Sequence, residues 1–138
     1  LLIVCGTNKK LSRWLKKKQK RYSKKLIKLD YVDNVEELME VADFIISKPG
    51  GLTTAEALAK GLPMIVIKPI PGQEENNTEF LLRHQVAIKV EKLENIHTDI
   101  ERLLNDRNKI TRMHENAKIL GRPNSAIETA KLILKSHV

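Results

Sequence analysis

The chain has 138 residues, a formal net charge of +8, a single cysteine, and 30% charged against 41% hydrophobic residues. This is the make-up of a folded globular domain long enough to bury one core. One thiol excludes an internal disulfide and suits a reducing compartment, and no apolar run approaches the roughly 20 residues of a membrane-spanning helix.

In chain order, Leu1–Cys5 is a short continuous apolar run, the pattern of a strand covered on both faces. Cys5 within it is expected to be a buried structural thiol. The chain opens here without an initiator methionine, inside what reads as a strand, so a fragment of a longer protein is expected rather than a trimmed complete domain. Asn8 to about Ser23 reads as a helix, with Leu11, Trp14, Leu15 and Tyr22 at near-helical spacing. Trp14 and Tyr22 are assigned to its apolar face.

This region holds most of the charge. Residues 9–28 carry eleven Lys or Arg and no acid, and taking these from +8 leaves −3 on the other 118 residues. No long apolar stretch follows, so the segment is not a signal peptide. Three readings stand: a solvated helix face, an anionic membrane surface, or nucleic acid. Nucleic acid is set aside, because base-stacking aromatics are lacking once Trp14 and Tyr22 are assigned inward.

Leu26–Tyr31 is the next strand and Val35–Val41 a short helix that Asn34 can cap. Phe44–Ser47 is a strand, and Leu52–Lys60 a helix ended by Gly61. Met64–Ile67 is a buried strand. Glu75–Arg83 reads as a helix, Val86–Val90 as a last strand, and Ile96–Asn105, Lys109–Leu120 and Ser125–Lys135 as helices. Strand–helix alternation predicts an α/β fold: a Rossmann-like parallel sheet with helices on both faces. There is no internal repeat and no second domain.

In such sheets ligands bind beyond the carboxyl ends of the strands, near a switch in strand order. Two loops fall on that edge. The first, Ser47-Lys48-Pro49-Gly50-Gly51-Leu52-Thr53-Thr54, leads into a helix bearing Glu56. Two glycines allow close backbone approach, and the helix N-terminus favours an anion such as a diphosphate. Taken alone, the pair also fits a plain strand–turn–helix junction, and Glu56 also fits simple pairing with the helix dipole. The second loop and helix start, Pro69 to Asn77, gathers Gln73, Glu74, Glu75, Asn76 and Asn77. Such groups offer the donors and acceptors that sugar hydroxyls need, though a solvated polar loop looks the same. A phosphate cradle beside a polyol-binding loop suggests a nucleotide-sugar site.

The strings Pro49-Gly50-Gly51-Leu52-Thr53-Thr54-Ala55-Glu56-Ala57 and Pro71-Gly72-Gln73-Glu74-x-x-Asn77 resemble the donor-binding segment of family 28 glycosyltransferases. The similarity is to the branch of monogalactosyldiacylglycerol synthases and processive diacylglycerol glucosyltransferases. Val4-Cys5-Gly6-x-Asn8, Tyr31-Val32-Asp33-Asn34-Val35-x-x-Leu38-Met39 and Gly121-Arg122-Pro123-x-x-Ala126 resemble the same branch, so the likeness spans essentially the whole chain.

The resemblance implies one half of a two-domain GT-B architecture, residues 1–138 being a single UDP-sugar donor-binding domain without its first strand and first glycine-rich loop. It implies that the Val32 backbone reads uracil, with Tyr31 and Val35 packing near the base. Gly50, Gly51, Leu52 and Thr53 would hold the diphosphate, Glu56 the ribose hydroxyls, and Gln73, Glu74 and Asn76 the transferred sugar. The general base would lie in the acceptor domain, leaving no catalytic residue here and little activity for this part alone. No metal and no cofactor beyond the donor substrate is implied, and His84, His97, His114 and His137 are scattered. The implied acceptor is a lipid such as diacylglycerol, and the implied location is cytoplasmic, peripheral on the inner face of the cell membrane. The alternatives are a natural single-domain subunit that pairs with a membrane partner, and a nucleotide-sugar epimerase of the same fold.

Overall fold

The computed structural model describes residues 1–22 and 26–135, which leaves the expected helix end at Ser23, and His137, outside the described residues. The chain divides into two compact units, Leu1–Val35 and Glu36–Val138. Strand pairing divides the same way, into a two-stranded and a three-stranded ladder, both parallel. The single sheet expected from the alternation is thus two ladders among the described residues. The alternation fixes parallel pairing within each, but it carries no information on which strands are neighbours.

In the first unit β1 (Leu2–Val4) pairs with β2 (Ile27–Leu29), register Leu2 to Ile27, and α1 (Lys9–Tyr22) connects them. Asn8 caps α1: its Oδ1 accepts from the Leu11 N–H at 3.0 Å, satisfying one of the free donors of the first turn. Cys5, Leu15 and Leu26 form the core with Ile3 against it, so Cys5 is buried as its apolar setting predicts. Trp14 is not part of that core. It is 55% exposed, because Leu15, one position on, takes the inward place.

In the second unit β4 (Met64–Ile67) lies between β3 (Ile45–Ser47) and β5 (Ala87–Val90). Met64, Ile65 and Val66 are at most 1% exposed, as an all-apolar central strand should be. Their alternation sorts α3 and α4 from α5, while α6 contributes to both clusters. Met64 and Val66 pack with Ala57 and Leu58 of α3 (Gly51–Ala59), Leu81 of α4 (Gln73–Arg83) and Ala117 of α6 (Arg107–Leu120). Ile65 joins Leu103 of α5 (Ile96–Asn105) and Met113 of α6 on the other face. Helices on both faces are therefore borne out here, each fully buried side chain contributing about 2 kcal/mol.

α2 (Val35–Glu40) begins directly after Asn34, and α7 (Ser125–Lys135) has no buried residue. A short 3-10 turn over Leu93–Asn95, not expected from sequence, precedes α5.

α3 ends as Gly61 predicts. Gly61 has φ of +63°, its N–H donates to the Leu58 carbonyl, and the Leu62 N–H donates to that of Ala57. This is the paired-bond helix stop that a left-handed residue allows. It turns the chain straight into Pro63 and β4. Gly121 meets α3 from α6's end so closely that a Cβ there would lie 2.2 Å from the Leu58 carbonyl oxygen.

Candidate functional site: two loops at the carboxyl end of the second ladder

β3 and β4 run parallel, Ser47 opposite Val66, so the loops leaving Ser47 and Ile67 emerge on one edge. Within this ladder the order β3-β4-β5 has no reversal, so it is these shared carboxyl ends that place the loops together.

The first loop delivers Gly50 as the N-cap of α3 in an extended conformation (φ −62°, ψ 152°), and no side chain caps the helix. Its first turn contains no acid. The N-terminal end of α3 therefore keeps its positive electrostatic character uncompensated by the protein's own side chains. A Cβ at Gly50 would meet nothing within 4 Å, so this approach is open. Leu52 is 81% exposed, Thr53 half-buried and Glu56 exposed one turn further on. Thr54 is buried, and its hydroxyl has no hydrogen-bond partner among the described residues.

The second loop is held by its own acids. Glu74 Oε2 accepts from the Ile70 N–H at 2.7 Å, and Glu75 Oε2 from the Gly72 N–H at 3.4 Å. Gly72, with φ of +98° and ψ of −118°, adopts a backbone open to glycine alone and starts α4 at Gln73, two residues earlier than the sequence pattern predicts. The Thr78 hydroxyl donates to the Glu74 carbonyl at 2.7 Å inside the helix.

Two contacts join the loops. The Gln73 amide nitrogen lies 3.3 Å from where a Cβ on Gly51 would stand, a close approach that the absent side chain eases. The Asn77 Nδ2 donates to the Pro49 carbonyl at 2.8 Å, tying α4 to the turn before the glycines. The structure thus brings together Gly50, Gly51, Leu52, Thr53 and Gln73. Glu74 spends one carboxylate oxygen on its own loop, and Asn76 is exposed, its backbone N–H donating to the Gly72 carbonyl at 3.1 Å. Asn77, which the sequence motif contains but to which no role was assigned, is the residue that bridges the loops. The signal was present: Asn77 is four positions after Gln73 and shares its helix face.

Tyr31, Val32 and Val35 belong to the first unit, where Tyr31 is 72% exposed, Val32 half-buried and Val35 exposed. Beside them Lys28 donates to Asp30 at 2.7 Å and to the Ser12 hydroxyl at 3.0 Å. The hydrogen bond from Lys28 holds the Asp30 carboxyl below the usual carboxylate range. Lys60, at the far end of α3, does the same for Glu40 across 2.9 Å.

A hollow lined by Lys10, Arg13, Trp14, Lys16 and Lys17 lies on α1 and has no part in the glycine junction. Among the described residues no group of three His, Cys, Asp or Glu is arranged to hold a metal ion. His84 and His97 lie on or at the ends of helices, and His114 Nδ1 contacts the Gly61 carbonyl at 2.8 Å as part of the packing of α6 on α3.

Residues 1–133 match the model of the glycosyltransferase family 28 C-terminal domain. The chain belongs to this family. A processive diacylglycerol β-glucosyltransferase of Bacillus licheniformis is 40% identical over 126 residues, which is 91% of this chain and 33% of that protein. The chain thus spans about a third of the length of such relatives.

Among solved structures, WaaG, a glycosyltransferase involved in lipopolysaccharide biosynthesis, superposes with a TM-score of 0.69 at 18% identity, over 94% of this chain and 36% of WaaG. Anabaena HepE in complex with UDP gives 0.67 at 16% identity, over 98% and 40%. The family 28 domain accordingly has the α/β fold of GT-B glycosyltransferases, as the sequence motifs implied.

Proposed function

We propose that this family 28 domain binds a UDP-sugar and serves as the donor half of a glycosyltransferase that transfers the sugar to a lipid acceptor such as diacylglycerol. The observation that carries the reading is the junction of the two loops, with Gln73 seated over Gly51 beside an α3 N-terminus that no side chain caps. An anion-attracting turn and a hydrogen-bonding amide thus lie within a few ångströms of each other, as a sugar joined to a diphosphate requires. The name of the B. licheniformis relative and the UDP bound to HepE supply the chemical class.

In this reading Gly50, Gly51, Leu52 and Thr53 hold the diphosphate through backbone N–H groups and the Thr53 hydroxyl. Glu56 accepts from the ribose hydroxyls. Gln73 contacts the transferred sugar, with Glu74 and Asn76 around it. As the glycosidic bond to phosphate breaks, charge builds on the departing UDP, and the α3 N-terminus stabilises it without reorganisation. The base that deprotonates the acceptor is assigned to an acceptor domain of a longer protein. Uracil recognition by Tyr31, Val32 and Val35 is proposed for the first unit separately, and uridine-induced shifts of their backbone amides test it. The basic segment Lys9–Lys28 is proposed to meet an anionic membrane, placing the reaction at the inner membrane face.

Saturation-transfer NMR with UDP, UDP-glucose, UDP-galactose and UDP-N-acetylglucosamine tests the donor reading and ranks the sugars. Signal from the uridine protons is the expected result, and silence from all four nucleotides would sink it. Glu56→Ala is expected to weaken UDP binding in calorimetric titration while circular dichroism stays unchanged. Equal affinity for both proteins would remove Glu56 from the site.

A further inference from the structure

Helix α1 presents two unlike faces. A helix turns about 100° per residue, so Leu15, Ser12 and Gln19 lie about 100–160° round from Trp14. That side meets the unit's interior: Leu15 is 4% exposed, Gln19 Nε2 donates to the Leu26 carbonyl at 3.3 Å, and Ser12 accepts from Lys28. Within about 60° of Trp14 stand Lys10, Leu11, Lys17 and Lys18, all exposed. Trp14 itself is 55% exposed, with the Lys18 ammonium 5.6 Å from its ring centroid. Among the described residues no carboxylate lies within ion-pair distance of Lys10, Arg13, Lys17 or Lys18. Like charges four residues apart repel along a helix, and nothing on this face relieves them.

We propose that the face of α1 centred on Trp14, with Leu11 beside it and Lys10, Lys17 and Lys18 around it, seats on an anionic lipid bilayer. The indole sits at headgroup depth while the lysines reach anionic headgroups on either side. This deepens the membrane contact proposed for Lys9–Lys28 and does not depend on the donor site. Charge complementarity selects the partner class, and the apolar pair selects within it. An indole and a leucine ringed by lysines match an interface that is apolar below and anionic above. A single-stranded nucleic acid would call for a series of stacking rings, and among the described side chains this face offers one.

Trp14 is the only tryptophan, so its emission reports the contact directly. The full chain is titrated with phosphatidylcholine vesicles with and without phosphatidylglycerol. A blue shift only with the anionic vesicles, reversed at about 0.5 M salt, is expected. The double variant Lys10→Gln/Lys17→Gln, at exposed positions that leave the core untouched, is expected to partition roughly 25-fold more weakly, about fivefold per lysine. Emission unmoved by anionic vesicles would overturn the proposal, as would an equal shift in the variant. Co-sedimentation with vesicles while Trp14 stays unmoved would overturn this face and leave only a diffuse contact of the basic segment. A single-stranded oligonucleotide that shifts Trp14 where vesicles do not would reassign the face to nucleic acid. UDP binding is followed in the same samples by NMR: if it persists while Trp14 is silent, this inference fails and the donor reading stands.

Discussion

Two strand-to-helix junctions of the second unit, β3 to α3 and β4 to α4, sit on one edge, yet they treat their helix ends in opposite ways. At α4 the protein supplies its own anions: Glu74 and Glu75 lie in the first turn and accept from the loop N–H groups of Ile70 and Gly72. At α3 it supplies none, and the N-cap is a glycine without a side chain to offer. One junction is closed by internal hydrogen bonds. The other is left electrostatically unfinished, and the missing charge is what a ligand can bring. The difference is why the proposed donor site puts the diphosphate at the first junction and gives the second, from which Gln73 reaches across, a supporting part.

Putting an acid on the open junction is the strongest way to break this contrast. Leu52→Glu places a carboxylate in the first turn of α3 at an 81% exposed position. It is expected to stabilise the helix by about 0.3–1 kcal/mol while weakening UDP binding about tenfold or more, since like charges then meet. A melting curve and a calorimetric titration moving in opposite directions support the contrast, and both rising together would end it.

Cutting the bridge between the junctions comes next. Asn77→Leu removes the donor to the Pro49 carbonyl and leaves that buried residue's oxygen unpaired, at an expected loss of about 1–3 kcal/mol by urea denaturation. UDP affinity is expected to fall with it, because the glycine turn loses its tether.

Loosening the closed junction should matter less. Glu74→Gln weakens the bond to Ile70, worth about 1 kcal/mol, and is expected to leave UDP affinity within about threefold of the parent. A larger loss of donor binding would show that Glu74 touches the ligand and is not merely a support.

The smallest effect is expected at the opposite end of α3, where Lys60 holds the Glu40 carboxyl below its ordinary value of 4.5. A carboxyl with a lowered native pKa adds stability that is complete above its unfolded pKa and disappears as pH falls through the native one. Melting temperature should therefore drop on acidification from about pH 5 downward. Glu40→Gln should flatten that drop slightly and change nothing at neutral pH beyond the loss of a surface ion pair.

How far each part was legible in the sequence follows from which forces are local. Met64–Ile67 was readable to the residue because four apolar positions between Pro63 and a polar loop can only be a covered strand. The stop of α3 at Gly61 was readable because the left-handed turn that ends a helix demands glycine chemistry. The start of α4 was missed by two residues, because Gly72 adopts an unusual backbone, its N–H held by the Glu75 carboxylate and its carbonyl by the Asn76 N–H. Trp14 was assigned inward because periodicity gives the angle between side chains but not which of two adjacent positions the neighbouring strand will cover.

The sequence by itself thus determined the α/β class, the parallel strands, the family and the placing of two loops on one strand edge. Each of these rests on local pattern or on short motifs whose residues are contiguous. Only the tertiary structure decided that Gln73 comes close over Gly51, that Asn77 joins the loops, and that Trp14 faces outward among lysines. These depend on contacts between segments more than twenty residues apart, or on which side of a helix its neighbours occupy, and no local propensity encodes either.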